Sequence, residues 1–204
     1  MVAEQRSRLS LVRPETVPLV DEDLLGSRTD DDLMLLARGG LGEAFDALIR
    51  RHQHTVLSVA ARLAGRNSLA PDLAQNTFLA IYRALPKYQA RGKFSAYLYR
   101  VLLNQCRVGY RSAYVEHNAL NQFSLLPTDS SEAAEDIILA RERQREVESA
   151  LGCLSLKLRQ VVVLRYSGGL TYDEIAEVLS VPVGTIKRRL FDAMAKLRAS
   201  MEGQ

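Results

Sequence analysis

The chain has 204 residues, 47% of them hydrophobic, which is enough to build one or two compact cores, and a formal net charge of only +3. No apolar run approaches the roughly 20 residues a bilayer-spanning helix needs, and the N-terminus lacks a signal-peptide apolar core, so a cytoplasmic protein is predicted. Cys106 and Cys153 stand far apart outside any CxxC pattern, which excludes a disulfide framework or a cysteine zinc site.

Trp is absent, Gly and Pro are few, and Leu, Ala, Arg and Glu abound, which favours an all-α fold. The small net charge hides segregation: residues 1–37 sum to −4, 38–115 to +9, 116–140 to −5 and 141–204 to +3. Two basic blocks around an acidic one suit two nucleic-acid-binding modules joined by a linker that does not itself grip phosphate.

Residues 1–28 carry Pro14 and Pro18 and no sustained period, and are read as a mostly disordered leader. Asp30, Asp31 and Asp32 then precede LMLLAR, where carboxylates complement the positive end of a helix. Three successive helical residues point in different directions, so the run is a structural signal, not a metal site. Gly39, Gly40 and Gly42 break this helix, and a longer one is predicted over residues 43–63, with Phe45, Leu48, Ile49, His52, Val56, Val59, Ala60 and Leu63 on its apolar side. His52 and His54 are two residues apart and share no helix face, so no metal is expected there, and no cofactor motif occurs elsewhere.

Pro71 suits the first turn of a helix running to about Leu85. Leu73, Phe78, Ile81, Tyr82 and Leu85 are placed inward, leaving Asp72, Gln75, Asn76 and Arg83 as a polar face, either plain surface or a docking face for a partner protein. Pro86 ends the helix, and residues 88–93 form a Gly-containing loop.

Residues 87–111, KYQARGKFSAYLYRVLLNQCRVGYR, concentrate six Lys and Arg residues and five aromatics. No carboxylate occurs between Asp72 and Glu116, so this surface is expected to lack acidic partners and to attract a polyanion. On a helix starting near Lys93, Phe94, Leu98, Val101, Leu102, Gln105 and Val108 fall on a core side. Lys93, Tyr97, Arg100, Asn104, Arg107 and Arg111 form a neighbouring stripe. Ring, guanidinium and amide on one ridge can stack on a base, hold phosphate and read a base edge. A solvated basic face with Tyr97 at the core margin is the simpler reading, but such faces ordinarily mix both signs.

Residues 114–134 lose the pattern, and PTDSSEAAED has linker composition. Helical periodicity resumes near Glu135 with Ile138, Val147 and Leu151; Ser155 is placed as N-cap of LKLRQVVVLRY, which Gly168 and Gly169 terminate. Thr171 and Glu174 then form a capping box, with Leu170 and Ile175 as its hydrophobic staple. The turn SVPVG leads into a second helix over residues 183–199, with small Ala176 allowing close approach and Ile175, Leu179, Ile186, Leu190, Ala193 and Leu197 as shared core. Short helix, tight turn and longer basic helix make a helix-turn-helix, whose second helix offers Thr185, Lys187, Arg188 and Arg189, then Phe191 and Asp192, to a major groove.

Over residues 31–197 the chain resembles the extracytoplasmic-function group of bacterial sigma factors, on FDALIRRHQHTVLSVAARL, DLAQNTFLAIYRALPKY, KFSAYLYRVLLNQCR and LRYSGGLTYDEIAEVLSVPVGTIKRRL in that order. The resemblance implies two small helical domains joined by a flexible linker: residues 29–113 like region two, which melts the −10 element, and 135–204 like region four, which binds the −35 duplex. It implies core RNA polymerase (β′ coiled coil and β flap), promoter DNA and an anti-sigma factor as partners, the last able to hold the protein at the inner membrane face. No enzymatic activity, cofactor or small-molecule substrate is implied.

By the same resemblance Asp72, Gln75, Asn76 and Arg83 fall at the β′ contact, while Tyr88, Arg100 and Asn104 fall where a base flipped from the −10 element is captured. Lys187, Arg188 and Phe191 fall on the −35-reading face. Three positions depart from the family: Tyr97 stands where Trp is common, Asn76 where Glu or Asp is usual, and Asp192 where a basic residue is frequent. A regulator that binds only duplex DNA is the main competing reading, and a nucleic-acid enzyme a third, since Glu43, Asp46 and Asp72 form no paired-carboxylate metal motif.

Overall fold

The computed structural model describes residues 25–64, 69–116 and 146–202, with the side chains of 109–116 and 201–202 left aside. Its α-helices are α1 (Asp30–Arg38), α2 (Gly42–Ala64), α3 (Ala70–Ala84), α4 (Phe94–Glu116), α5 (Leu156–Tyr166), α6 (Tyr172–Leu179) and α7 (Val183–Glu202), with a 3₁₀ turn (Leu85–Lys87) after α3 and further helix at 146–152. No strand occurs among the described residues, and the fold is all-α.

Local chemistry sets the helix ends. Thr29 caps α1: its hydroxyl accepts from the Asp32 amide at 3.2 Å while Asp32 Oδ2 accepts from the Thr29 amide at 3.3 Å. This is a capping box with Asp in the place of Glu, and it leaves Asp30 and Asp31 free for other partners. Arg51 and His52 of α2 both donate to Asp30, at 2.6 and 2.8 Å, and Arg51 also donates to the carbonyls of Gly26 and Arg28. Burial opposes ionisation of Asp30, but these two partners outweigh it and hold the carboxyl below its usual range. Gly42 opens α2 instead of belonging to the break before it. Residues 25–28, counted with the leader in the sequence, are fixed by these contacts and by Leu25, which is buried in the core.

α1 packs on α2, α2 on α3, and α3 on α4, around Leu33, Met34, Leu48, Leu63, Ile81, Leu98 and Leu102. α5 and α6 both pack on α7 around Leu164, Leu170, Ile175 and Ile186. The two halves also touch, α2 against α5 and α4 against α6. Arg62 donates to Ser167 Oγ at 3.1 Å, and Gly168 sits so close to the Tyr99 ring that an added Cβ would lie 3.3 Å from it.

That contact accounts for the burial of Tyr99, one of the places where the α4 core face departs from expectation. Tyr99, Leu103 and Cys106 are buried although they lie off the predicted side, and Val108, placed inward by its spacing, is 61% exposed. A helix covered by α3 on one side and by α6 on the other buries a wider, rotated arc than one packed in its own domain alone. Burial pushes the Cys106 thiol up to about 11. α4 also continues to Glu116, past the predicted boundary at 113, because RSAYVE contains no helix breaker. Residues 1–24 and 117–145, with most of the leader, most of the linker and Ile138, lie outside the described residues.

Ser155 occupies the N-cap of α5, but its side chain makes no capping bond; its carbonyl accepts from the Leu158 and Arg159 amides. In α6 the expected capping box forms, with Glu174 Oε2 accepting from the Thr171 amide at 2.7 Å and Leu170 and Ile175 buried beside it. The helix-turn-helix turn is made by Ser180, left-handed at φ 54°, while the Val181 amide donates to the Ala176 carbonyl at 3.0 Å.

Candidate nucleic-acid interface

The stripe on α4 is present as a ridge. Lys93, Arg100, Asn104 and Arg107 are exposed and Tyr97 is half-buried, whereas Arg111 lies in the helix with its side chain outside the described residues. Arg107 Nη1 donates to Asn104 Oδ1 at 3.3 Å, so the amide is oriented along the ridge. The Tyr97 ring leans on Tyr88 and Phe94, with centroids 5.5 and 6.4 Å away, and Phe94 in turn meets His52 at 5.4 Å. This aromatic cluster fixes the inner edge of a cleft of about 450 Å³, within the usual range for small-ligand sites. Lys87, Arg91, Lys93 and Arg100 supply its positive wall and Gln89 an amide.

Tyr88 is buried, its ring a wall of that cleft rather than a free stacking platform. Burial first, and then the hydrogen bond to Asp31, push its phenol well above the ordinary range, so it stays a neutral donor. Its hydroxyl reaches Asp31 Oδ1 at 3.0 Å, and the same oxygen accepts from the Arg91 and Gly92 amides at 2.9 and 3.3 Å.

The expectation that the basic surface has no acidic partners is wrong. Glu177 of α6 accepts from Lys93 at 2.8 Å through Oε2 and from Arg100 at 3.3 Å through Oε1, and its carbonyl accepts from Arg100 at 3.2 Å. The hydrogen bond from Lys93 and the adjacent Arg100 hold its carboxyl below the usual range. The local sequence is free of carboxylates, but the partners arrive from 57 to 84 residues away in the chain. The sequence does not mark Asp31 or Glu177 for this role, and no pattern local to residues 87–111 points to them.

On α7, Lys187, Arg188, Phe191 and Asp192 are exposed, Phe191 by 75%, while Thr185 and Arg189 are half-buried along the flank. Among the described residues no carboxylate pairs with Lys187 or Arg188. Ile186, Leu190 and Ala193 anchor the opposite side, so the turn delivers the N-terminal half of α7 outward and rigid. This is the geometry of a recognition helix.

On α3, Asp72, Gln75, Asn76 and Arg83 are all exposed. They share their stripe with Leu79, 41% exposed, and with Tyr82, 56% exposed although its spacing places it inward. Tyr82 lies over the rim of the core, its ring edge-on to Phe45 at 5.2 Å, leaving the other face to solvent. A stripe mixing charge, amides and large apolar groups is better suited to a protein partner than a purely polar one.

Two helical modules on one chain, a helix-turn-helix and a basic aromatic ridge, define a bipartite DNA-binding protein. The family description Sigma-70 region 2 matches residues 48–114, and Sigma-70, region 4 matches 144–197. ECF RNA polymerase sigma-E factors of Escherichia coli K12 and Salmonella typhi are each 29% identical over 174 residues, 81% of this chain and 90% of theirs, as is that of Haemophilus influenzae over 81% and 91%. CnrH, solved in complex with the cytosolic domain of CnrY, superposes with a TM-score of 0.65 at 29% identity, over 86% of this chain and 98% of that one. The sigma factor RpoE of Bartonella quintana, solved with the anti-sigma factor NepR, shares the fold at TM-score 0.60 and 20% identity, over 78% and 96%.

The chain belongs to the sigma-70 family, in its extracytoplasmic-function group. It is an alternative sigma factor of promoter recognition and transcription initiation, a task for which sigma regions 2 and 4 bind core RNA polymerase and promoter DNA. No helix among the described residues is long and apolar enough to cross a membrane.

Proposed function

We propose that residues 29–113 act as the −10 and polymerase module and 135–204 as the −35 module, with the chain itself performing no covalent chemistry. Asp72, Gln75, Asn76 and Arg83, with Leu79 and Tyr82 beside them, dock on the β′ coiled coil. Lys187, Arg188 and Phe191 enter the −35 major groove, Thr185 and Arg189 hold its flanking phosphates, and Asp192 accepts from a cytosine amino group. On the opened strand, Lys93, Arg100, Arg107 and Arg111 hold backbone phosphates while Tyr97 stacks and Asn104 reads an unpaired −10 base against the wall made by Tyr88.

Stacking worth about 1 to 3 kcal/mol per base offsets an unpairing cost of a few kcal/mol, so capture of the strand favours melting without ATP. In the free chain Glu177 competes with phosphate for Lys93 and Arg100, so the two modules part before the ridge meets DNA. Tethering both modules to polymerase then replaces weak separate binding by effective concentration. Regulation by an anti-sigma protein, one tethered to the inner membrane included, fits the resemblance and the CnrH neighbour, which was solved with a protein partner's cytosolic domain.

The observation that carries this reading is the pairing, on one chain, of an exposed recognition helix with an aromatic cationic ridge on a separate helix. Run-off transcription with purified core polymerase under reducing conditions tests it. Specific initiation dependent on this chain is expected; a promoter shift without polymerase, together with no initiation, would identify a regulator of duplex DNA instead.

A further inference from the structure

Residues 88–92 form an irregular loop whose first amide, that of Tyr88, closes the preceding 3₁₀ turn on the Leu85 carbonyl at 3.1 Å, and the loop is held at several further points by one short helix. At the N-terminal end of α1, Asp31 Oδ1 accepts from the Tyr88 hydroxyl and from the Arg91 and Gly92 amides. At the C-terminal end, Arg38 Nη1 donates to the Tyr88 carbonyl at 2.8 Å. Tyr88 is therefore gripped by both its side chain and its backbone, 50 and 57 residues away in sequence from the groups that grip it. Two successive amides converge on a single oxygen of Asp31, and Gly92 then takes a left-handed φ of 65°, which lets the chain turn away into α4 just past that contact.

Backbone amides in an irregular segment need acceptors, and an ionised carboxylate forms bonds roughly twice as strong as a neutral one. Besides Tyr88, the loop contributes Gln89 and Arg91 to the same cleft that Tyr97 and Arg100 line, and Arg91 Nη2 donates to Gln89 Oε1 at 3.0 Å. Any drift of the loop moves this amide and guanidinium relative to the ridge.

We propose that Asp31 and Arg38, at opposite ends of α1, are positioning residues for the 88–92 loop, and that through it α1 sets which unpaired base the cleft accepts. The inference rests on the reading that the α4 ridge takes unpaired promoter bases. Asp30 and Asp32 have other work, in the α2 contacts and the capping box, so the role falls on Asp31 alone of the three. Neither Asp31 nor Arg38 lines the cleft; both act through Tyr88 and the loop backbone.

The full chain carrying Asp31→Ala, Asp31→Asn or Arg38→Ala tests this with two readouts. In the free protein, hydrogen exchange at the Arg91 and Gly92 amides is expected to accelerate about tenfold in Asp31→Ala and less in Asp31→Asn, which keeps an acceptor. Unchanged exchange at both amides would overturn the clamp. With core polymerase, open-complex formation is measured on four promoters differing only in the captured −10 base. The preference among the four bases is expected to flatten in Asp31→Ala, partly return in Asp31→Asn and weaken in Arg38→Ala, with −35 duplex affinity unchanged.

An intact preference despite faster exchange would overturn the specificity role. Equal loss on all four promoters with a lowered melting temperature would do so too, by showing Asp31 to be merely structural. If the unsubstituted protein opens none of the four, the promoter reading itself fails and the base-setting role with it, while the exchange result still judges the clamp.

Discussion

The two cationic faces of this protein differ in who occupies them. On α7, Lys187 and Arg188 project into solvent with no carboxylate partner among the described residues; on α4, Lys93 and Arg100 are both engaged by Glu177. Both sets of side chains are exposed enough to meet phosphate, so sequence charge alone would rank them as equals. What separates them is tertiary: α6 lies against α4, whereas the outer face of α7 is open to solvent. A basic stripe is thus available or reserved according to its neighbours: on the proposed reading, the duplex-binding face is open in the free chain while the strand-binding ridge is engaged by Glu177.

The largest effect that would sharpen this contrast is expected on α7. Replacing Lys187 and Arg188 together by Ala should weaken −35 duplex binding about a hundredfold and relax the preference for the bases they read. Single-strand binding should hardly change. Fluorescence anisotropy over a set of base-substituted −35 duplexes measures affinity and preference, and unchanged duplex affinity would remove the recognition face.

Asn104→Ala comes next, with open-complex formation expected to fall about tenfold while polymerase binding stays intact. Permanganate reactivity of the −10 region, set beside a polymerase pull-down, separates the two. Equal loss of both would make Asn104 structural.

A smaller effect should come from pH and salt acting on the Glu177 contact. Because Lys93 and Arg100 depress the folded pKa of Glu177, the pairing is fully present above the ordinary carboxylate pKa and is lost as pH falls through the lower folded value. The inter-module contact should therefore be flat from about pH 6 to 8 and weaken only below the ordinary carboxylate range. Added salt should weaken it at neutral pH, since exposed pairs are screened. Energy transfer between labels on Ser95 and Ser180 variants would follow the separation; opening between pH 8 and 6 would contradict the assignment to Glu177.

Much of this architecture is legible in the sequence because it is written in local chemistry. The capping box of Thr171 and Glu174 and the Leu170 and Ile175 staple form at their expected positions, and the helix-turn-helix follows from them. The ridge of Lys93, Tyr97, Arg100, Asn104 and Arg107 is visible as a helical period. What escapes is long-range. Tyr99 is buried because a second module covers part of α4, which no period within α4 encodes, and Val108 faces solvent although its spacing places it inward. Tyr82 sits outward because the core rim ends beneath it. The three-Asp run reads as helix electrostatics, yet its members divide among a cap, an ion pair and a loop clamp. Helical geometry sends them three ways, but only the folded chain shows what each one meets.

The contrast between the two faces is tested most directly by titrating the free protein with a single-stranded −10 oligonucleotide, comparing the unsubstituted chain with Glu177→Ala. Removing an exposed carboxylate that bridges two cations should raise single-strand affinity about threefold to fivefold and leave −35 duplex affinity unchanged. Identical single-strand affinity in the two proteins, or an equal rise for the duplex, would contradict a ridge held by its own second module.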